Sequence, residues 1–134
     1  MDFDSLIRAA MDITRNSYAP YSKFRVGAAL LTRSGKMFRG VNVENRSYGA
    51  TICAERTAVS SAVIEGELDF LAIAIYSPDS EDYLPPCGIC RQVLSEFPNS
   101  GDMEVIICRG DGQFKVFRLS ELYPFDALHE LSDK

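Results

Sequence analysis

The sequence lacks any apolar run long enough to cross a bilayer. Its longest strongly apolar stretch, residues 70–76, falls far short of the roughly 20 residues that a membrane helix needs. A basic segment followed by an apolar one is also missing from the N-terminus, where Met1-Asp2-Phe3-Asp4 carries acid instead, so the expectation is a cytoplasmic protein with no membrane partner. Positive charge is scarce: 14 Lys and Arg stand against 19 Asp and Glu, and a net charge of −5 provides no diffuse basic field for a phosphate backbone. The expected partners therefore do not include nucleic acid. Histidine is nearly absent, and the single one, His129, sits in a polar tail and reads as a solvated side chain rather than a ligand. No repeat, linker or low-complexity tract divides the chain. With 134 residues, 46% of them hydrophobic, it suits one domain, 1–134, burying about two thirds of the surface its unfolded form exposes.

Cysteine is present in a pattern. Three of the four cysteines fall in two short stretches, Cys53-Ala54-Glu55 and Pro86-Cys87-Gly88-Ile89-Cys90. In a reduced compartment a Cys-x-x-Cys points to metal binding or redox chemistry rather than to a disulfide framework. Three thiolates around a zinc ion leave one corner of the tetrahedron for water, which is the arrangement of a catalytic site. Glu55, two residues after Cys53, can approach that corner without filling it and is a proton-relay candidate. Arg56 follows at once. It reads either as a donor to ligand sulfurs, restoring acidity to a metal bound by three anions, or as the partner of a surface carboxylate.

Periodicity places these stretches. Residues 4–16 form an amphipathic helix with Asp4 available as its cap, and Pro20 marks a loop that carries Phe24. Residues 25–32 and 37–44 read as a hairpin about Ser34-Gly35, in which Gly27 and Gly40 suggest close backbone approach. Helices are expected over 53–65, with Cys53 in the first turn, and over 88–97. Residues 70–76 have the composition of a central strand, 104–109 and 113–118 add two more strands, and 120–131 supplies short helical segments. Strands alternating with helices give an α/β fold, a sandwich with a mixed sheet. If both cysteine stretches open helices, the sulfurs lie where free backbone N–H groups favour thiolate.

The first ligand, the glutamate two residues on, and the later Pro-Cys-x-x-Cys resemble the signature of the zinc deaminases that act on nucleobases. Together with Tyr21-Ser22-Lys23-Phe24-Arg25-Val26-Gly27-Ala28-Ala29, Asn42-Val43-Glu44-Asn45 and the continuation Arg91-Gln92, the chain resembles the small, homotetrameric cytidine deaminases over most of its length. The resemblance implies a three-layer α/β/α sandwich with a five-stranded mixed sheet. It implies one zinc ion per subunit held by Cys53, Cys87 and Cys90, and deamination of cytidine and 2′-deoxycytidine by attack of activated water at C4. Glu55 is then the residue that protonates N3 and later the departing amine. Phe24 would pack on the nucleoside, Asn42 and Glu44 would hold the ribose hydroxyls, and the backbone of Ala54 would meet the pyrimidine edge. Tyr48 would lie near a neighbouring subunit's site. Phe125 would cover the base of another subunit, although here it follows Pro124 directly, whereas the family places this aromatic three residues after a proline.

Other readings stay open at this level. One is a deaminase of a cytosine nucleoside antibiotic such as blasticidin S. Another is a non-catalytic interaction module whose zinc is closed off by Cys108 as fourth ligand, against which Cys108 sits in the apolar run Val105-Ile106-Ile107. A nucleic-acid-editing deaminase is disfavoured by the acidic charge.

Overall fold

The architecture of residues 3–126, the part described by this computed structural model, follows from the two faces of one sheet. The strands are β1 (Gly27–Thr32), β2 (Met37–Val41), β3 (Phe70–Tyr76), β4 (Glu104–Cys108) and β5 (Phe114–Arg118), arranged in the order β2-β1-β3-β4-β5. Only β3 and β4 run parallel; the other neighbours are antiparallel. The helices are α1 (Phe3–Ile13), α2 (Ala54–Ile64), α3 (Gly88–Ser95) and the short α4 (Leu119–Leu122). His129 and the helical tail expected beyond residue 126 lie outside the described residues.

Side-chain alternation along the strands separates two cores. Ile73 and Ile75 of β3, with Leu30, Val105 and Ile107, join Ala54, Ala58 and Ala62 of α2, Leu94 of α3 and Leu119 of α4. Ala72 and Ala74, with Ala29, Ile106 and Cys108, meet Leu6, Ile7 and Ala10 of α1 on the opposite face. Helices thus cover both faces of a five-stranded mixed sheet, as expected. Asp4 is not the cap of α1; it lies inside the first turn, where its charge favours the N-terminus.

Two glycines let the helices approach. An added Cβ at Gly27 would stand 2.2 Å from the Ala10 carbonyl oxygen in α1. At Gly40 it would stand 2.2 Å from the Ala54 oxygen and 2.5 Å from the Ala58 nitrogen in α2. Backbone atoms of a packed helix cannot yield locally, so Gly40→Ala should push α2 away from β2 and lower stability by about 3 kcal/mol. A urea titration of the purified variant measures this, and a midpoint equal to that of the parent would refute the tight approach.

Candidate metal centre and adjoining cleft

Both cysteine stretches open helices: α2 starts one residue later than the sequence pattern suggests, and α3 starts at Gly88, as expected. Cys53 is the residue before α2 rather than part of its first turn, and its backbone is extended. Cys87 stands in the same relation to α3, and its sulfur accepts the Cys90 N–H at 3.5 Å. All three sulfurs thereby sit where unpaired N–H groups and the helix dipole favour negative charge.

The three Sγ atoms lie within 4.8 Å of one another, with Cys53 and Cys87 4.0 Å apart. Four-coordinate zinc with bonds of about 2.3 Å sets its sulfurs about 3.8 Å apart, so the donor set fits that ion. Hydrogen bonding from the Cys90 thiol, aided by Arg56, draws the Cys53 thiol down to about 5. Cys90, the donor in that bond and buried besides, is pushed up. A dication is what removes this competition and lets all three ionise.

Arg56 turns to the metal site. Its Nη2 donates to the Cys53 sulfur at 3.5 Å and to the Thr51 carbonyl at 3.4 Å, so its partners are a sulfur and a carbonyl rather than a surface carboxylate. Glu55 is only 5% exposed although it bears a carboxyl. Burial pushes it up to about 7, with the Cys53 charge acting in the same direction, so it can change protonation state near neutral pH. Cys108, by contrast, lies in the core on the α1 side of the sheet, away from the other three cysteines. Burial pushes that thiol up to about 11.

A cleft of about 190 Å³ opens beside the sulfurs, lined by Cys53, Ala54, Glu55, Cys87, Asn42 and Thr51 and walled by Val26, Ile75, Leu84 and Pro85. Thr51 also borders a second cleft, of about 350 Å³, with Glu44, Tyr48, Tyr21, Ser22 and Asn45. The strand expected over 37–44 ends at Val41, and Asn42 and Glu44 lie beyond it, in different clefts. Asn42 is buried: its Nδ2 donates to the Phe24 carbonyl at 2.8 Å, and its Oδ1 accepts the Val26 N–H at 3.0 Å. Glu44 accepts the Tyr21 and Ser22 N–H groups at 3.0 and 3.1 Å, and the Ser22 hydroxyl above all holds its carboxyl below the usual range. Both side chains therefore also fasten the loop that carries Phe24.

Asp79 fastens the same loop from the turn that follows β3. It accepts the Arg25 N–H at 2.9 Å and pairs with the guanidinium at 2.8 and 3.0 Å, and this pairing holds the carboxyl down to about 2. Phe24 itself is half-buried and lines neither cleft. Tyr48 is 78% exposed, its ring edge-on to Tyr21, and Phe125 is fully exposed with φ of 56°. Neither reaches the sulfurs.

Sequence reasoning missed the cleft walls and Arg91. The Arg91 guanidinium donates to the Pro86 carbonyl at 2.8 Å and to the Leu122 carbonyl at 2.6 Å, tying the cysteine turn to α4. The one available signal was its place directly after Cys90. Ile75 could have been found from its position near the carboxyl end of β3, where open α/β sheets gather ligands.

A family model described as the cytidine and deoxycytidylate deaminase zinc-binding region matches residues 2–108. A cytidine deaminase of Halalkalibacterium halodurans is 45% identical over 124 residues, covering 92% of each chain. A probable cytidine deaminase of Dictyostelium discoideum is 49% identical over 110 residues, covering 82% of this chain and 73% of that one. The crystal structure of cytidine deaminase from Burkholderia pseudomallei superposes with a TM-score of 0.87 at 43% identity, over 93% of this chain and 98% of that chain. The zinc-binding match and the three-sulfur donor set agree on one zinc ion per chain. With fold, donor set and sequence in accord, the chain belongs to the cytidine and deoxycytidylate deaminase family.

Proposed function

We propose that the chain hydrolytically deaminates cytidine and 2′-deoxycytidine to uridine and 2′-deoxyuridine, releasing ammonia, and that residues 1–134 act as one deaminase domain. The observation that carries this reading is a buried carboxyl, Glu55, in the same cleft as two of three sulfurs that fit zinc. In this reading Cys53, Cys87 and Cys90 hold the ion. Zinc so held supplies the Lewis acidity that makes water a competent nucleophile near neutral pH. Glu55 takes a proton from the attacking water and delivers it to N3 of the pyrimidine, then takes the proton remaining on the oxygen added at C4 and delivers it to the departing amine. Arg56 withdraws charge from the Cys53 sulfur, and the backbone of Ala54 meets the pyrimidine edge.

Asn42 and Glu44 take the ribose hydroxyls, and Phe24 packs on the nucleoside. Tyr48 and Phe125, both exposed on the single chain, serve sites at the subunit interfaces of a homotetramer. The setting is cytoplasmic pyrimidine salvage, and the partners are nucleosides rather than nucleic acid or membrane. Among the described residues no helix is long and apolar enough to cross a membrane.

Ammonia release from cytidine, 2′-deoxycytidine and blasticidin S, measured side by side with zinc-replete protein, tests the substrate class. Turnover of both nucleosides is expected. Turnover of the antibiotic alone would refute the proposal.

A further inference from the structure

Ser17 lies just after the 3-10 turn that follows α1 and lines neither cleft, yet its hydroxyl donates to Oδ1 of Asn42. The same oxygen accepts the Val26 N–H, while Nδ2 donates to the Phe24 carbonyl. The two backbone partners decide which end of the carboxamide is which, because an amide N–H only donates and a carbonyl only accepts. Ser17 then occupies the second lone pair of Oδ1. The oxygen has no capacity left for a ligand, and the one remaining position on the amide is a single N–H of Nδ2.

We propose that Ser17 is a positioning residue for substrate binding: it holds Asn42 so that the carboxamide offers only a donor to a sugar hydroxyl. The proposal rests on the reading in which Asn42 binds the ribose. The oxygen of a hydroxyl accepts from Asn42, and its hydrogen stays available for an anionic acceptor. Glu44 is such an acceptor, since Oε1 takes two backbone N–H groups and Oε2 takes only the Ser22 hydroxyl. Without the Ser17 hydroxyl, Oδ1 regains an open lone pair and the amide is freer to tilt away from its donor role.

Steady-state kinetics on cytidine with Ser17→Ala, Ser17→Thr, Asn42→Ala and the Ser17→Ala/Asn42→Ala double variant tests this. Loss of one neutral hydrogen bond should raise KM about 3- to 10-fold in Ser17→Ala, with the loss falling on KM rather than kcat. Ser17→Thr, which keeps the hydroxyl, should stay within about twofold of the parent, well under the loss expected for the missing bond. Adding Ser17→Ala to Asn42→Ala should cost nothing further. A Ser17 effect that persists in the Asn42→Ala background, that is absent altogether, or that Thr does not rescue would overturn the positioning role. An Asn42→Ala variant with the parent's KM would overturn the sugar-binding reading instead. If that variant does not fold, 2′,3′-dideoxycytidine takes its place: Ser17→Ala and the parent should then share one KM, and a difference between them counts against the proposal.

Discussion

Glu55→Gln should lower kcat for cytidine by about 10³-fold, within the range assigned to a positioned acid–base group, while zinc stays bound at one equivalent per chain. Gln keeps the shape and one acceptor of the side chain but cannot carry the two protons of the water, one to N3 of the base and the other to the departing amine. The carboxyl it replaces is buried at the start of α2, and burial has already pushed it up to about 7. A neutral amide of equal size avoids the cost of burying a charge, so the variant should melt at or above the parent's temperature. Lost turnover would then have no explanation in lost structure. The measurement is turnover beside metal content and thermal melting on the same preparation. Activity within tenfold of the parent would remove Glu55 from the proton-transfer role, and absence of turnover in the zinc-replete parent itself would favour a zinc-stabilised interaction module over a deaminase.

That Glu55 stands out in the bare sequence, while much of its surroundings does not, has a physical cause. Metal ligation and proton transfer demand particular atoms, so Cys53, Glu55, Cys87 and Cys90 are confined to few residue types and to spacings set by helix starts. The walls of the cleft demand only bulk. Val26, Leu84 and Pro85 could be exchanged for other apolar residues, and nothing in their local pattern marks them. The strands were legible for a related reason, since alternation and apolar runs report burial, and β3 coincides with its run from Phe70 to Tyr76.

Asn42 and Glu44 show where local pattern stops being informative. Alternation suggested one strand with both side chains on the same side. Val43 instead bridges Tyr18 on one side and Ile52 on the other, which draws the chain out of β2. The partners of both side chains lie 16 or more residues back, in the loop at 17–26. Such pairings are settled by the tertiary fold. The same holds for Cys108. Strand alternation assigns it to the face shared by Ile106, but only the packed structure identifies that face as the one covered by α1.

Cys87→Ala should abolish both zinc retention and turnover, whereas Cys108→Ala should keep one zinc per chain and near-parental activity. The two substitutions remove the same atom from opposite sides of the sheet. Cys87 is exposed, so truncating it removes a ligand with little loss of packing. A two-sulfur remnant does not satisfy four-coordinate zinc. Cys108 is fully buried among Ala29, Ala74 and Tyr76, and its truncation should cost about 1 kcal/mol of packing without reaching the metal. Zinc bound only to the folded chain stabilises it by mass action, by about 2.7 kcal/mol at a hundredfold excess over Kd. Added zinc should therefore raise the melting temperature of Cys108→Ala and of the parent, but not that of Cys87→Ala. Metal content by atomic spectroscopy and melting with and without a chelator check the pair. Loss of zinc from Cys108→Ala would restore the closed four-cysteine site, and a full equivalent of zinc in Cys87→Ala would remove that residue from the ligand set.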